Sequence, residues 1–393
     1  MSAHSAQSPR LLFFCHTSEI GGAEKSLLTI LTGLKKQGYS VTVVIPGAGA
    51  FQQELKHHKI PFIIHQYYWW CSTEKVSRLS QARMILGSLL SLLLLTLRNP
   101  SIKPDIIITN TLTIPWGIIL SRVLRKPHIM LLREFGTLDF GFQFFFGYKY
   151  SLRYINAHSR FVFTNSQTTW QHFKKYIDPK KLEYIYPQIS VSSEVPELSE
   201  QQYFSTKKRL KIVNLGTIFE IKGQMDAVKA VRELIARGYE DIELILAGRK
   251  ESHRYYERLM VAIDEVDELR GRIRILEFID HPLDVLREAD VVLVCSRSEA
   301  FGRVTAESMA LKKPVIATRS GANAELVQDE VSGFLYTRGK YIELAEKIAE
   351  LYSDRSLLQK MGQAGYEEYE TRLKPKMKLD PLLEKIELLR DEK

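Results

Sequence analysis

The sequence predicts an α/β protein built from two doubly wound domains, each a parallel sheet covered by helices. Short runs of β-branched and other apolar residues alternate with longer amphipathic runs, which is the pattern of repeated βαβ units. The alternation stops once, in a polar and acidic stretch, and then starts again. The length of 393 residues also exceeds what one ordinary core requires, so we expect two domains.

The first predicted domain covers residues 1–188 and contains six strands separated by helical patterns. The strands are Leu11–Cys15, Ser40–Ile45, Pro61–His65, Asp105–Thr109, His128–Leu132 and Arg160–Thr164. Helical periodicity is clearest in Ala23–Gln37 and Gln167–Tyr176. Because the strands are expected to be parallel, their carboxyl ends should share one edge of the sheet.

The polar stretch 189–204 is predicted to be a linker, and a second Rossmann-like domain covers residues 205–375. Its strands are Leu210–Leu215, Ile242–Ala247, Arg274–Glu277, Val291–Val294 and Val315–Ala317, and its helices are Lys222–Arg237, Val304–Leu311 and Tyr341–Tyr352. The tail 376–393 contains an amphipathic helix, Leu379–Arg390, that we expect to pack back towards the first domain.

The composition is that of an ordinary globular protein, with 45% hydrophobic and 26% charged residues. Cys15, Cys71 and Cys295 lie far apart without a C-x-x-C pair, which excludes a disulfide scaffold and a cysteine zinc site. The first ten residues, MSAHSAQSPR, lack the apolar region of a secretory signal. We therefore expect a cytoplasmic location.

The positive charge is confined to the first half of the chain. Residues 1–200 hold 22 Lys and Arg against 12 Asp and Glu, whereas residues 201–393 hold 33 against 34. This asymmetry indicates an anionic partner for the first domain, namely nucleic acid, anionic lipid or a phosphorylated substrate, unless the basic surface only aids solubility. No nucleic-acid-binding motif accompanies the charge, so we expect no nucleic-acid partner.

Three features of the first domain predict contact with an anionic membrane surface. The apolar run Met84–Leu97 is too short, at 14 residues, for the ~20 that span a bilayer. It is either a buried or half-buried helix or a helix lying against a membrane. Basic clusters at Lys56–Lys59 and Arg122–Lys126, and aromatic stretches at Tyr67–Trp70 and Phe140–Phe146, favour the second alternative. The competing interpretation is that these aromatics fill the core.

Several common motifs are absent from the sequence. There is no G-x-x-x-x-G-K-[ST] phosphate loop and no complete G-x-G-x-x-G fingerprint after the first strand. There is also no Asp-x-Asp, no H-E-x-x-H and no close histidine–carboxylate pattern. We therefore expect no metal site and no bound cofactor.

Two glycine-containing loops are candidates for binding an anion. Gly21 and Gly22 follow the first strand and open a helix, where paired glycines allow close backbone approach and the helix start presents N–H groups. A tight turn would explain the same pair. Lys222, in the loop from Gly216 to Gly223, is placed to neutralise a diphosphate, although a solvated lysine at a helix start is the simpler alternative.

The strongest signal follows strand Val291–Val294, where Glu299 and Glu307 are eight residues apart. At 100° per residue the two carboxylates cannot share one helix face, so Glu299 should precede a helix and Glu307 should lie in its second turn. The intervening residues Phe301, Gly302 and Arg303 would then present backbone N–H groups. This arrangement offers carboxylates for sugar hydroxyls on either side of an amide cradle for phosphate, although either glutamate alone could be an ordinary helix-start residue.

These strings resemble the E-x7-E signature of the retaining glycosyltransferases of family 4, which have the GT-B fold. The resemblance covers most of the chain, because GGAE, GTIFEIKG, EAFGRVTAE, SMALKKPVIA and VSGFL occur in the family's order and spacing. It implies two Rossmann-like domains facing a central cleft, with a C-terminal crossover helix. It also implies metal-independent transfer of a hexosyl group from a nucleotide-diphosphate sugar to an acceptor hydroxyl, with retained anomeric configuration.

The resemblance further implies a biological setting. The acceptor would be a glycan or lipid-linked glycan held by the first domain. The reaction would belong to cell-surface polysaccharide or glycolipid synthesis, catalysed by a cytoplasmic enzyme peripheral to the inner face of the membrane.

The resemblance also assigns roles to residues, with Lys222 and Glu299 as the catalytic pair. Glu299 is expected to contact hydroxyls of the transferred sugar, Lys222 to pair with the diphosphate, and Glu307 to hold the ribose. Gly22 is expected to approach the diphosphate from the first domain. The remaining donor-binding residues, acting mainly through their backbone, are Phe301, Gly302, Arg303 and Val304.

Two positions depart from the family pattern. Thr217 stands where many members have an arginine, so Arg249 or Arg303 is a candidate for the missing diphosphate cation at the donor site. Many members also have a histidine after the fifth strand, where this chain has Arg133 and Glu134. The acceptor-side candidates are therefore Arg133, Glu134 and Asp139, although Arg133 and Glu134 would also suit a structural pair.

Two other kinds of protein are compatible with the same residues. One is another GT-B sugar enzyme such as an epimerase; a phosphorylase would need a pyridoxal-binding lysine, for which the sequence has no signature. The other is a non-catalytic homologue that binds sugar nucleotides, which the departures at Thr217 and Arg133 allow.

Overall fold

The computed structural model describes residues 8–100, 102–189, 191, 209–277, 279 and 281–392. It divides into two compact units, of which the first comprises Met1–Gln188 with Met377–Lys393 and the second comprises Ile189–Lys376. Each unit is organised around one parallel β-sheet. The predicted linker 189–204 lies almost entirely outside the described residues.

The first unit contains a seven-stranded sheet of order β3-β2-β1-β5-β6-β8-β9, in which every neighbouring pair is parallel. The strands are β1 Arg10–Cys15, β2 Ser40–Ile45, β3 Phe62–Ile64, β4 Cys71–Ser72, β5 Ile106–Asn110, β6 His128–Leu132, β7 Gln143–Phe144, β8 Phe161–Thr164 and β9 Leu182–Tyr184. The short strands β4 and β7 form a separate antiparallel pair. The helices are α1 Gly22–Lys36, α2 Ala50–His57, α3 Arg78–Arg98, α4 Trp116–Leu124, α5 Tyr148–His158, α6 Gln167–Phe173 and, from the C-terminal tail, α14 Asp380–Asp391.

The second unit contains a six-stranded parallel sheet of order β12-β11-β10-β13-β14-β15. Its strands are β10 Leu210–Leu215, β11 Ile242–Ala247, β12 Ile273–Leu276, β13 Val291–Val294, β14 Val315–Thr318 and β15 Gly333–Tyr336. Its helices are α7 Gln224–Ala236, α8 His253–Asp264, α9 Pro282–Glu288, α10 Arg303–Ala310, α11 Asn323–Leu326, α12 Tyr341–Ser353 and α13 Ser356–Glu368.

The central strands are buried and mostly apolar because helices cover both faces of each sheet. In the first unit, strands β5, β6 and β8 are buried at every position. One face of this sheet packs against α1 and α14, and the other packs against α3 and α4. From α14, Leu382, Ile386 and Leu389 enter the first unit's core, so the C-terminal tail is part of that unit.

All eleven predicted strands occur, and their ends differ from the prediction by at most one residue. Strands β9 and β15 and the β4–β7 pair were not predicted, nor were helices such as α2, α8 and α13. The fold class of two doubly wound parallel sheets is confirmed.

Each sheet has one switch point, where successive crossovers leave in opposite directions. It lies between β1 and β5 in the first sheet and between β10 and β13 in the second. Ligands of doubly wound sheets bind outside the carboxyl ends of the strands at such a point. The residues that follow β1, β5, β10 and β13 are therefore the candidates for binding a ligand.

Candidate functional site

An ion pair lies at the switch point of the second sheet. The Nζ atom of Lys222, in the loop after β10, is 2.7 Å from Oε1 of Glu299, in the loop after β13. The side chains are 27% and 18% exposed, so both are partly buried yet reachable by a ligand. The structure thus brings together two predicted site residues that are 77 positions apart in sequence.

Backbone contacts hold the Lys222 loop in place. Lys222 ends a single 3-10 turn, and Gly223 follows it with a positive φ of 68°. A Cβ atom at Gly223 would lie 2.1 Å from the carbonyl oxygen of Cys295, so no other residue fits without movement. In addition, the Arg297 N–H donates to the Ile221 carbonyl at 2.7 Å, which ties the loop after β10 to the loop after β13.

Glu299 is held by the loop that follows β14. Gly321 has a φ of 59°, and a Cβ atom there would lie 2.3 Å from the carbonyl oxygen of Glu299. The Ala322 N–H donates to the same carbonyl at 2.7 Å. The carboxylate position is therefore set by three loops of one sheet edge rather than by its own loop alone.

Helix α10 begins at Arg303 after the N-cap residue Gly302, which has a φ of 82°. Glu299 therefore precedes the helix and Glu307 lies in its second turn, as the eight-residue spacing predicted. Phe301 is buried, whereas Val304 is half-buried against the sheet. Their expected backbone contacts with a donor stay predictions.

The two candidate cations for the missing arginine differ in environment. Arg303 Nη2 lies 2.9 Å from Glu307 Oε1, and both side chains are less than one-fifth exposed. Arg249 is more than half exposed and pairs with Glu251 at 3.0 Å. Thr217 itself uses its backbone, because its carbonyl accepts from Gln224 Nε2 at 2.9 Å. Of the two arginines, Arg303 is thus the one anchored beside predicted donor-binding residues.

The switch point of the first sheet contains a buried cluster that the sequence did not single out. His16 follows β1 directly, and its Nδ1 lies 3.1 Å from Oε1 of Glu24, in the first turn of α1. The other carboxylate oxygen of Glu24 accepts from the Gly21 N–H at 3.1 Å. Glu24 thus fixes both the start of α1, where Gly22 lies, and the imidazole of His16. The string GGAE was the available signal, but only its glycines were interpreted.

Burial and pairing act in opposite directions on the titration of this cluster. Burial disfavours both charged forms, but the attraction and hydrogen bond between the two groups outweigh it, so the pKa of His16 is raised and that of Glu24 is lowered. Burial raises the pKa of Glu134 to about 7, against the attraction of His16. His16 is therefore flanked by one carboxylate that favours its charge and one that holds a proton more readily than usual.

The three acceptor-side candidates lie at or shortly after the carboxyl end of β6 and bind parts of their own unit. Oε1 of Glu134 accepts from the Leu112 N–H at 2.5 Å. Both oxygens of Asp139 accept backbone N–H groups, from Phe135 and Phe140, at 2.8 Å each. Arg133 Nε donates to Asn110 Oδ1 at 2.9 Å. These contacts give each residue a structural role, and contact with an acceptor stays a prediction.

Within the described ranges, one group of at least three potential metal ligands has its ligand atoms within 4.8 Å of one another, namely Cys15, His16 and Glu24. It lies in the first unit and includes none of the predicted donor-binding residues. Burial raises the pKa of the Cys15 thiol well above its usual value, and Sγ donates to Glu24 Oε1 at 3.6 Å. Because metals bind the thiolate, this thiol suits a hydrogen-bonded cluster better than a metal centre.

Two family models match the chain in succession. The model described as Glycosyltransferase Family 4 matches residues 20–193, and the model described as Glycosyl transferases group 1 matches residues 196–368. Together they cover both sheets apart from strand β1, and all the site residues described above except Cys15 and His16.

Curated relatives match smaller parts of the chain. The capsular polysaccharide biosynthesis glycosyltransferase CapM of Staphylococcus aureus is 25% identical over 180 residues, which is 45% of each chain. The human alpha-1,3/1,6-mannosyltransferase ALG2 is 28% identical over 238 residues, covering 54% of this chain and 55% of its own. The chain thus matches about half the length of these two relatives.

Solved structures match over nearly the whole chain. HepE of Anabaena, in complex with UDP and glucose, has a TM-score of 0.75 at 22% identity, with 98% of this chain and 100% of that chain covered. A glycosyltransferase from Rickettsia africae has a TM-score of 0.75 at 20% identity, with 97% and 98% covered. At these identities the likeness establishes the fold. With two glycosyltransferase models in succession and two doubly wound sheets, the chain belongs to the family 4 type of glycosyltransferases with the GT-B fold.

Proposed function

We propose that the chain binds a nucleotide-diphosphate sugar on its second unit and transfers the sugar to an acceptor hydroxyl with retained anomeric configuration. The observation that carries this proposal is the Lys222–Glu299 pair at the switch point between β10 and β13. A cation and a carboxylate at that position match the two parts of such a donor, an anionic diphosphate and a neutral sugar rich in hydroxyls.

Each member of the pair has a different partner in the donor. The Lys222 ammonium would bind the diphosphate and stabilise the charge that develops on it as the sugar departs. The Glu299 carboxylate, freed from Lys222 by the competing phosphate, would accept hydrogen bonds from sugar hydroxyls. Before the donor binds, the ion pair holds both side chains in place. When the donor binds, the contact between Lys222 and Glu299 is replaced by one contact of each with the donor.

Helix α10 supplies the rest of the proposed donor site. Its N-terminus carries partial positive charge, which suits the diphosphate, with contacts from the backbone of residues 301–304. Glu307 would accept from the ribose hydroxyls, and Arg303, already beside it at 2.9 Å, would supply the cation lost at Thr217. Lys222 and the helix start would then replace the divalent ion that other transferases use, so we propose a metal-independent reaction without a bound cofactor.

The donor and acceptor classes follow from the relatives. HepE binds UDP and glucose, and CapM belongs to capsular polysaccharide biosynthesis. We propose a UDP-hexose as donor and a glycan or lipid-linked glycan as acceptor, recognised by the first unit. The reaction would take place in the cytoplasm at the inner face of the membrane, where the basic excess of the first half suits anionic lipid.

The donor site can be tested by titrating UDP into the protein in a calorimeter. Lys222→Ala should weaken binding by about 1.5–3 kcal/mol, roughly 10- to 150-fold, because a charge-assisted contact is lost. Glu307→Ala should also weaken binding. Lys229→Ala is the matched control, since Lys229 is another half-buried lysine of the same unit and lies over the Tyr341 ring.

Unchanged UDP affinity in both Lys222→Ala and Glu307→Ala would refute the site. The reaction type needs a second measurement, namely the products formed from UDP-hexoses with and without a glycan acceptor. A glycoside with retained configuration supports the proposal. An isomerised nucleotide sugar would indicate an epimerase, and tight UDP binding without any product would indicate a non-catalytic homologue.

A further inference from the structure

Helix α3 presents a row of leucines to solvent. Leu79, Leu86, Leu90, Leu93 and Leu97 recur at intervals of seven, four, three and four residues, which places them on one face of the helix. Each of these five residues, hereafter the leucine stripe, is between 54% and 66% exposed. Soluble monomers rarely expose contiguous apolar patches beyond ~300–600 Å². No described part of the chain covers this stripe, which runs along a helix of 21 residues, so the stripe needs an occupant.

The opposite face of α3 is firmly attached to the first unit. Leu92 and Leu95 are buried in the cluster that includes Trp116 of α4. Ser88 Oγ accepts from the Tyr68 N–H at 3.0 Å. The helix therefore keeps its orientation, and the leucine stripe cannot turn inwards without breaking these contacts.

The aromatic stretches that the sequence assigned to a membrane interface are divided between the core and the surface. Tyr67, Trp70, Phe142 and Phe144 are all buried. The indole of Trp70 and the hydroxyl of Tyr67 both donate to backbone carbonyls, for example Trp70 Nε1 to the Leu112 carbonyl at 2.8 Å. The competing interpretation is correct for these four side chains, whereas Tyr68, Phe140 and Phe146 of the same stretches are exposed. Among the described residues, α3 carries more exposed large apolar side chains than any other helix or strand.

By length and composition α3 could cross a membrane, and only 17% of its apolar window is buried. The sheet excludes a single crossing. Strand β1 precedes α3 and β5 follows it, yet β1 and β5 are hydrogen-bonded neighbours in register from Leu11–Ile106 to Cys15–Asn110. A single crossing would put these two strands on opposite sides of the bilayer. The helix can therefore meet a membrane only by lying in its surface.

Charge identifies the kind of surface. Among its 21 residues α3 contains three arginines, Arg78, Arg83 and Arg98, and no Asp or Glu. The first 200 residues as a whole carry a balance of +10, from 22 basic and 12 acidic residues. A second copy of the chain would bring like charges together, whereas anionic lipid headgroups would neutralise them.

We propose that the leucine stripe of α3 docks in the plane of an anionic membrane, with the leucines at the acyl boundary and the arginines at the headgroups. The inference rests on the membrane-side location proposed above and assigns that location to one helix face. It does not depend on the donor-site residues. An in-plane helix with an apolar face and basic flanks binds through both buried area and charge, so both contributions should be measurable.

The test is co-sedimentation of the full chain with vesicles of phosphatidylcholine, with and without phosphatidylglycerol, at low and high salt. We expect binding to the anionic vesicles and at least about tenfold weaker partitioning to the neutral ones. Leu90→Glu with Leu93→Glu should reduce anionic binding at least about tenfold, because charges are placed in the stripe. Val261→Glu is the matched control, since Val261 is 55% exposed on a helix of the second unit.

Leu90→Trp adds a spectroscopic reading at an exposed position, taken as the difference from the wild-type spectrum because the chain already has four tryptophans. Its emission should shift to shorter wavelength with anionic vesicles, whereas emission from Val261→Trp should not. Equal binding by the wild type and the Leu90→Glu, Leu93→Glu variant would overturn the proposal. So would a wild-type dimer in light scattering that this variant converts to monomer without any vesicle binding, because the occupant would then be a second copy.

Calorimetry with UDP separates this inference from the proposed function. UDP affinity should be the same for the wild type and the Leu90→Glu, Leu93→Glu variant. Tryptophan fluorescence during urea unfolding shows separately that the first unit of the variant is folded, because all four tryptophans lie in that unit. Loss of UDP binding in Lys222→Ala with normal vesicle binding would support both proposals. Normal UDP binding with no vesicle binding by the wild type would refute the membrane surface alone.

Discussion

The carboxyl edges of the two sheets share a switch-point topology, but their charged side chains differ in exposure and in bonding partners. At the second sheet, the charges are partly exposed and paired with each other, as in Lys222–Glu299 and Arg303–Glu307. At the first sheet, the carboxylates are buried and bind backbone N–H groups, as Glu24 and Glu134 do. At the first sheet, pairing with His16 lowers the pKa of Glu24 despite its burial, and burial raises the pKa of Glu134 to about 7.

The same fold can therefore provide two kinds of binding surface at the carboxyl edges of its sheets. Partly exposed ion pairs can exchange partners with an incoming dianion at little cost, which suits the proposed diphosphate donor. Buried carboxylates bonded to backbone cannot exchange easily, but they keep neighbouring groups oriented, and one of them, Glu134, holds or releases a proton near neutral pH. That second behaviour suits an uncharged hydroxyl acceptor.

The largest expected effect is on catalysis at the second sheet. Glu299→Ala should lower transfer from the UDP-hexose donor by about 10²–10³-fold, because contacts with the reacting sugar are lost. UDP affinity should stay the same or rise, since Lys222 loses its internal partner. The assay is UDP release under saturating donor, with Glu233→Ala as control because Glu233 forms a surface ion pair with Arg237 on α7.

A parallel loss of UDP affinity and turnover in Glu299→Ala would contradict this division of roles. It would mean that the carboxylate mainly positions the Lys222 loop.

The second comparison concerns how rigidly the donor edge is built. Gly223→Ala should destabilise the second unit by about 3 kcal/mol more than Gly238→Ala does. Both glycines have positive φ, but a Cβ atom at Gly238 meets nothing within 4 Å, whereas one at Gly223 lies 2.1 Å from the Cys295 carbonyl oxygen. Gly238→Ala therefore measures the φ penalty alone, about 1–2 kcal/mol.

Urea unfolding followed by far-UV circular dichroism gives these stabilities. UDP titration should also show weaker binding in Gly223→Ala, because the displaced loop carries Lys222. Equal stability of the two variants would show that the contact with Cys295 relaxes freely and that the loop is not rigid.

The third effect concerns protons at the first sheet. The pKa of Glu134 is raised from its usual 4.5 to about 7, so its neutral form is favoured in the folded state. The stability from this group is complete below about pH 4.5 and is lost as the pH rises through about 7. Raising the pH from about 5.5 to about 8 should therefore lower the free energy of unfolding of the first unit by about 2 kcal/mol through this group. Glu134→Gln should remove that decrease while keeping the hydrogen bond from the Leu112 N–H.

Tryptophan fluorescence during urea unfolding isolates the first unit, because Trp69, Trp70, Trp116 and Trp170 are the only tryptophans of the chain and all lie there. The pKa of His16 is also raised, so its contribution to stability declines as the pH rises in both proteins. The difference between the proteins reports Glu134 together with its attraction to His16. The same pH dependence in wild type and Glu134→Gln would show that Glu134 stays ionised in the fold.

The sheets could be predicted because their strands are apolar runs whose burial dominates local structure. Strand β15 was missed for a physical reason. A Cβ atom at Gly333 would lie 2.3 Å from the carbonyl oxygen of Val315 on β14, so close packing demands a glycine that makes the short run resemble a loop. The need for glycine at position 333 comes from strand β14, so the local sequence of β15 contains no periodic pattern that would reveal the strand.

The site could be predicted in part for the same kind of reason. Glu299, Glu307 and Lys222 stand at strand-to-helix junctions, which the local pattern locates. Their pairings depend on loops that only the fold brings together, as with the 77 positions between Lys222 and Glu299. His16 carries no local signal at all, because its environment is created by Glu24 and Glu134 from two other elements.

The smallest expected effect is that of removing divalent metal ions, which should leave the transfer activity almost unchanged. If Lys222, Arg303 and the start of α10 provide the positive charge for the diphosphate, exhaustive EDTA treatment should leave transfer within about twofold of the untreated rate. The assay is UDP release from the UDP-hexose donor, before and after addition of Mg²⁺ or Mn²⁺. The control is Lys222→Ala, in which added Mn²⁺ should rescue little, since the second edge has paired charges in place of a cluster of free carboxylates. Full loss of activity with EDTA and its return with a divalent ion would show that the carboxyl edge of the second sheet needs a metal cation to bind the diphosphate. The contrast between fixed charges at the second sheet and titrating groups at the first sheet would then no longer hold.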